Sequence, residues 1–184
     1  MPTDAELVDT VQFLDRLASL PRTGWLLRGV TDVESIAEHS YGVAVVAAML
    51  VDDLRARGVT IDGEKVLRMA LLHDAAEIFT GDIPMPAKSD AFKAALSAQE
   101  DALLTKMLSP SDKAIWHESE NGASLEARIV KAADKVQMLI KALTYETQKR
   151  GHLDEFFVGP ANQRHMDLDL PREVFAEVLR RRPK

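Results

Sequence analysis

Apolar residues recur along most of the chain at steps of three and four, and sustained alternation of apolar and polar positions is absent. The first helical run spans about Asp4 to Leu20 and stops at Pro21. After the linker "PRTGWLLRGVTDVE" comes "SIAE", Ser35 to Glu38, which has the capping-box pattern. Ser35 is placed to cap the backbone and Glu38 to reach back, so a helix is expected through about Arg57, ended by Gly58. Its middle is apolar on every side, which predicts a central helix. Asp62 can cap the next helix, expected to run almost to Gly81, with Val66, Ala70, His73 and Glu77 on one face. Further helices are expected from Ser89 to about Leu108, from "SPSDKAIWHE", from about Ser124 to Arg150, and from near Pro171. The only β candidate, "VTI" at 59–61, is too short. The pattern predicts an all-α, single-domain fold over 1–184, with about six to eight helices around one core.

At 184 residues the chain is long enough to bury a core without disulfides or structural metals. It has no cysteine, which excludes thiolate metal sites and suits the cytoplasm. The start, "MPTDAELVDT", is acidic and polar rather than secretory. The longest apolar stretch, "VAVVAAMLV", is far below the roughly 20 residues of a membrane span. A net charge of −6 repels nucleic acid and leaves room for a small anionic substrate only where a local cation meets it. The arginines of "RRRPK" read as a solvated helix C-terminus.

One helix breaks the apolar rule. His73, Asp74 and Glu77 of "LLHDAAEIFTGDIP" stand on a helix with Leu67, Met69, Leu71, Leu72, Ile78 and Phe79, and Asp82 lies just beyond Gly81. Burying such groups without partners costs several kcal/mol. His39 falls in the first turn of the preceding long helix, and Asp134 interrupts "IVKAADKVQML" beside Ala132 and Ala133, small enough for close helix approach. Together the two histidines and two carboxylates can offer N₂O₂ ligation from three helices. Taken singly, His39 reads as a core histidine, Asp134 as an exposed residue and Glu77 as a salt-bridge partner.

Beyond spacing, "EHS" at 38–40, "HDAAEIFTGDIP" at 73–84 and "KAADKVQ" at 131–137 resemble the metal-binding motifs of the HD-domain phosphohydrolases. Within that superfamily they are most similar to the 5′-deoxynucleotidases, which dephosphorylate deoxyribonucleoside monophosphates. The resemblance covers a motif core from about Phe13 to Tyr145. It implies one divalent metal held by His39, His73, Asp74 and Asp134, with cobalt, manganese, zinc, nickel, iron and magnesium not distinguished. It also implies Glu77 in catalysis, substrate contacts at Trp25, Asp82, Ile83, Pro84 and Met85, a nucleotide substrate and a homodimer. Bacterial members carry a phosphate-orienting arginine directly before the tryptophan. Here Gly24 holds that place, and "PRTGW", which resembles the eukaryotic branch, moves the candidate to Arg22.

A carboxylate one turn from the ligands suits proton transfer, and a guanidinium suits bidentate grip on phosphate. Lys88 and Lys131 can add positive potential. Two-metal phosphodiesterases and di-iron oxygenases on this fold need further histidines, and only His117 lies between His73 and Asp134. A triphosphohydrolase is the nearest rival and requires more basic residues. A non-catalytic helical metal-binding module would show a missing ligand, and none is missing. His152 and His165 read as surface residues.

Overall fold

The computed structural model describes residues 3–84, 87, 89–159, 162 and 168–183. Each long helix begins where a side chain can satisfy its first free N–H groups. Thr3 and Glu6 form a capping box on α1 (Asp4–Asp15), which tightens into a 3₁₀ turn, Arg16–Ser19. A short α2 (Thr23–Leu26) precedes α3 (Ile36–Ala56). At α3 the Ser35 hydroxyl accepts from the Glu38 N–H at 3.1 Å, and Glu38 accepts from the Ser35 N–H at 2.7 Å. Asp62 caps α4 (Gly63–Leu72), and α5 (Glu77–Thr80) follows. Ser89 caps α6 (Asp90–Leu104). Ser109, with Pro110 at the first position, starts α7 (Pro110–Asn121), which ends at the left-handed Gly122. Ser124 caps α8 (Leu125–Thr147), and α9 (Asp154–Val158) and α10 (Asp169–Arg181) complete the chain. Among the described residues there is no strand, only an isolated antiparallel bridge between Pro21 and Ser35.

α3 lies against both α8 and α4. Val43, Ala47, Leu50, Val66, Met69 and Ala70 meet Ile129, Val130, Ala132 and Ala133 in one cluster. Ala132 and Ala133 are fully buried, as expected of small residues at a close helix crossing. A second cluster joins Trp25 and Val30 to Leu139, Ala142, Tyr145, Leu153 and Phe157. The bridge closes the linker on itself, with Arg22 N–H on the Glu34 carbonyl at 3.0 Å and Ile36 N–H on the Leu20 carbonyl at 2.9 Å. That closure carries both Arg22 and Glu34 to the N-terminus of α3.

Four expectations need correction. The helix expected from Asp62 to Gly81 breaks after Leu72. From there the bonds run i→i−3, as in Ala75 N–H to Leu72 O and Glu77 N–H to Asp74 O. The His73 ring, 2.7 Å from the Ala70 carbonyl, competes for the acceptor that another α-turn would use. The helix expected from Asp4 to Leu20 is α-helical only to Asp15. α3 is not buried all round, since Tyr41, Val45 and Met49 form an exposed stripe. At the C-terminus Arg182 bridges Glu146 and Asp154 and lies over the Phe157 ring, so it clamps α8 and α9 rather than standing free.

Candidate metal centre

His39 sits one turn inside α3, its N–H on the Ser35 carbonyl at 3.0 Å. The ring is 1% exposed, with Nδ1 2.7 Å from Gln137 Oε1 on α8. Nε2 makes no hydrogen bond and faces Asp134 Oδ1 at 3.3 Å and Asp74 Oδ2 at 3.7 Å. His73 directly follows α4, and its Nδ1 donates to the Ala70 carbonyl, which can only accept. Its Nε2 is therefore the ring nitrogen left to give up a proton and take a ligand. That atom is also buried without a hydrogen bond, 3.3 Å from Asp74 Oδ2. Ligating atoms of His39, His73 and Asp74 all lie within 4.8 Å of one another. Asp134 stands beside this trio, one oxygen toward His39 and the other 2.9 Å from Lys135 Nζ.

Burial opposes charge throughout this cluster, and the neighbours outweigh it. Asp74 is held well below the usual carboxylate range by His73, Arg22 and His39. His73 is pushed up to about 9, chiefly by Asp74. Lys135 and His39 hold Asp134 well below its ordinary value. A leftover buried polar atom costs about 1–3 kcal/mol, so two buried imidazole Nε2 atoms without hydrogen bonds beside shared carboxylates are a costly arrangement for the metal-free chain. A divalent cation removes that cost, and this N/O donor set suits one.

Likenesses to known proteins bear on this geometry. The family model described as HD domain matches residues 14–168. The chain belongs to the HD domain family. Human 5′-deoxynucleotidase HDDC2 is 32% identical over 166 residues, 85% of this chain and 78% of the human one. A solved protein of Pyrococcus horikoshii is 35% identical, with TM-score 0.82 over 95% of this chain and 99% of its own. A cyanophage S-2L HD phosphohydrolase, described as bound to dA and one catalytic Zn²⁺ ion, shares the fold at 24% identity. Its TM-score is 0.58 over 97% of this chain and 93% of the phage protein.

Around the HD cluster the other expected residues take differing places. Arg22 Nη1 lies 3.1 Å from Asp74, 3.6 Å from Asp82 and 3.8 Å from Glu77. Asp82 accepts from the Thr23 hydroxyl at 3.2 Å and the Gly24 N–H at 3.4 Å, which staples the "GDIP" loop to α2. Ile83 and Pro84 are half-buried in that loop, and Met85 and Lys88 lie outside the described residues. Trp25, expected among the substrate contacts, lies in the core instead. It is 3% exposed, its N–H donates to Glu34 at 3.0 Å, and its ring stacks among Tyr145 and Phe156. Lys131 reaches the Glu120 carbonyl, and Arg28 pairs with Glu155. His117 pairs with Asp101 at 2.8 Å and is half exposed, and His152 is exposed; His165 lies outside the described residues.

A cavity of about 320 Å³ opens beside the cluster, lined by His73, Asp74, Glu77, Lys93, Glu100 and Trp116 among others. Sequence reasoning missed Trp116, whose buried indole N–H has no hydrogen bond. It also missed Glu34 and Gln137, the polar residues behind His39. Gln137 lies three residues after Asp134, on the same helix face, and that spacing was the available signal. Trp116 gave none.

Proposed function

We propose that the chain is a metal-dependent phosphomonoesterase that converts deoxyribonucleoside 5′-monophosphates to deoxyribonucleoside and phosphate. The observation that carries this reading is the pair of buried, unbonded imidazole Nε2 atoms facing Asp74, next to an open cavity. The name 5′-deoxynucleotidase, borne by the human relative, supplies the substrate class. His39, His73, Asp74 and Asp134 would hold the ion, and two imidazoles favour zinc, cobalt, manganese, nickel or iron over magnesium. When bound, such an ion supplies Lewis-acid stabilisation of phosphate charge and a more acidic water.

The chain's own residues do the rest. Arg22 orients the phosphate, and its place among Asp74, Glu77 and Asp82 supports that role. Glu77, one turn past His73 and on the cavity wall, handles a proton of the attacking water or the leaving oxygen. Asp82, Ile83, Pro84 and Met85 hold the sugar end. Trp116 offers its unbonded N–H to the nucleoside. Trp25 supports the site from beneath, through Glu34. All 184 residues act as one cytoplasmic domain, a setting the cysteine-free composition supports. The exposed Tyr41–Val45–Met49 stripe supports pairing of two chains.

A phosphate-release screen over nucleoside mono-, di- and triphosphates tests the reaction. Release from deoxynucleoside monophosphates is expected. Pyrophosphate release from a triphosphate, with monophosphates inert, would instead assign a triphosphohydrolase. The acidic lining, with Asp74, Glu77, Glu100 and Glu120 against Lys93, speaks against binding three phosphates. For the ligand set, Asp134→Ala should abolish metal retention while the helices stay folded, as read by elemental analysis and circular dichroism. Full metal occupancy in that variant would remove Asp134 from the set.

A further inference from the structure

His39 can ligate through Nε2 only if its hydrogen resides on Nδ1. Nothing in the ring decides this, and the decision arrives from behind it. Glu34 is 4% exposed and takes three donors: the Trp25 indole at 3.0 Å on Oε1, and Lys141 Nζ at 3.2 Å and Gln137 Nε2 at 3.0 Å on Oε2. Tryptophan and lysine nitrogens donate and never accept, so both Glu34 oxygens are committed as acceptors. Gln137 must then turn its NH₂ to Glu34 and its carbonyl to His39. A carbonyl only accepts, so His39 Nδ1, 2.7 Å away, donates, and Nε2, toward Asp74 and Asp134, is the nitrogen left to ligate.

Two further contacts hold the relay. The Glu34 backbone N–H donates to the Tyr145 hydroxyl at 2.9 Å. On α3, Gly42 leaves the space that the Gln137 side chain fills: a Cβ there would lie 2.8 Å from Gln137 Cγ and 3.0 Å from Nε2.

We infer that Glu34 and Gln137 are positioning residues that set the tautomer of His39 and so prepare it as a metal ligand. This rests on the reading of His39 as a ligand. It does not depend on which phosphate ester is the substrate.

The test uses the full chain with ¹⁵N-labelled histidine. Two-bond ¹H–¹⁵N spectra of the metal-free protein at alkaline pH should show His39 as the Nδ1–H tautomer alone. Gln137→Met keeps the side-chain size and removes the acceptor. It should let His39 populate both tautomers and weaken Co²⁺ binding, measured by chelator competition, roughly 10–100-fold. Glu34→Gln, which frees the Gln137 amide to flip, should shift both readouts the same way by less. If Gln137→Met fails to fold, Gly42→Ala, which displaces the amide without deleting it, must lower Co²⁺ affinity. A folded Gln137→Met chain with wild-type affinity and only Nδ1–H His39 would overturn the relay, leaving Glu34 and Gln137 as plain core polar residues. Wild type that binds no Co²⁺ would overturn the ligand reading and this inference with it. Phosphate release enters none of these readouts, so failure of the substrate assignment is seen separately.

Discussion

Glu77 and Arg22 lie within 3.8 Å of each other and should nonetheless fail differently when replaced. A proton-handling carboxylate acts in the transition state, so Glu77→Ala should keep metal and substrate binding and lose roughly 10²–10⁴ in kcat. A phosphate clamp grips ground state and transition state alike, so Arg22→Ala should raise KM and lower kcat as well. Steady-state kinetics at saturating metal separate the two; a Glu77→Ala chain stripped of metal would make Glu77 a ligand instead. His73 carries a pH signature of its own. In the metal-free chain it is raised from 6.5 to about 9 beside Asp74. Its contribution to stability is thus fully present below 6.5 and lost as pH rises through about 9. Urea melts in chelator at pH 6 and pH 10 should show that loss, and His73→Asn should flatten it.

At the scale of elements, α3 matters because its first turn carries His39. The Ser35–Glu38 box satisfies N–H groups that the helix cannot. Ser35→Ala should cost about 1 kcal/mol. For a chain of this size that lowers the melting temperature by roughly 2–4 °C, readable by calorimetry. The starts of α3, α4, α7 and α8 were legible in the chain because each capping bond spans three residues. The break between α4 and α5 was not. The residues of 62–80 keep helical periodicity, and only the His73 side chain on Ala70 O marks the interruption. That break leaves His73 and Asp74 in a turn, both toward one centre, instead of diverging by about 100° around a continuous helix.

Across the whole molecule, α3, the α4–α5 turn, the linker and α8 meet at one cluster, so a bound ion should act as a cross-link among them. Ligand binding to the folded state alone stabilises by about 2.7 kcal/mol at a hundredfold excess over Kd. Chelation should therefore lower the melting temperature by several degrees, and readdition of the ion should restore it. An unchanged melt would mean the metal adds nothing to the fold. Calorimetry with and without chelator decides.

Local chemistry was enough to place the helix starts and to mark His39, His73, Asp74 and Asp134 as candidates, and the motif resemblance joined them into one ligand set. Caps and breakers act over a few residues, and charged groups on apolar helices stand out wherever those helices go. What lies between distant segments had no such trace. Trp25 reads equally well as a substrate contact or a core ring until α8 and α9 supply Tyr145 and Phe156. Glu34 and Gln137 are separated by 103 residues, and each reads as an ordinary polar side chain in its own stretch. Their meaning depends on a donor facing an acceptor across an α3–α8 crossing. Hydrogen-bond polarity of that kind belongs to a pair of groups in space, so it exists only once the chain has folded.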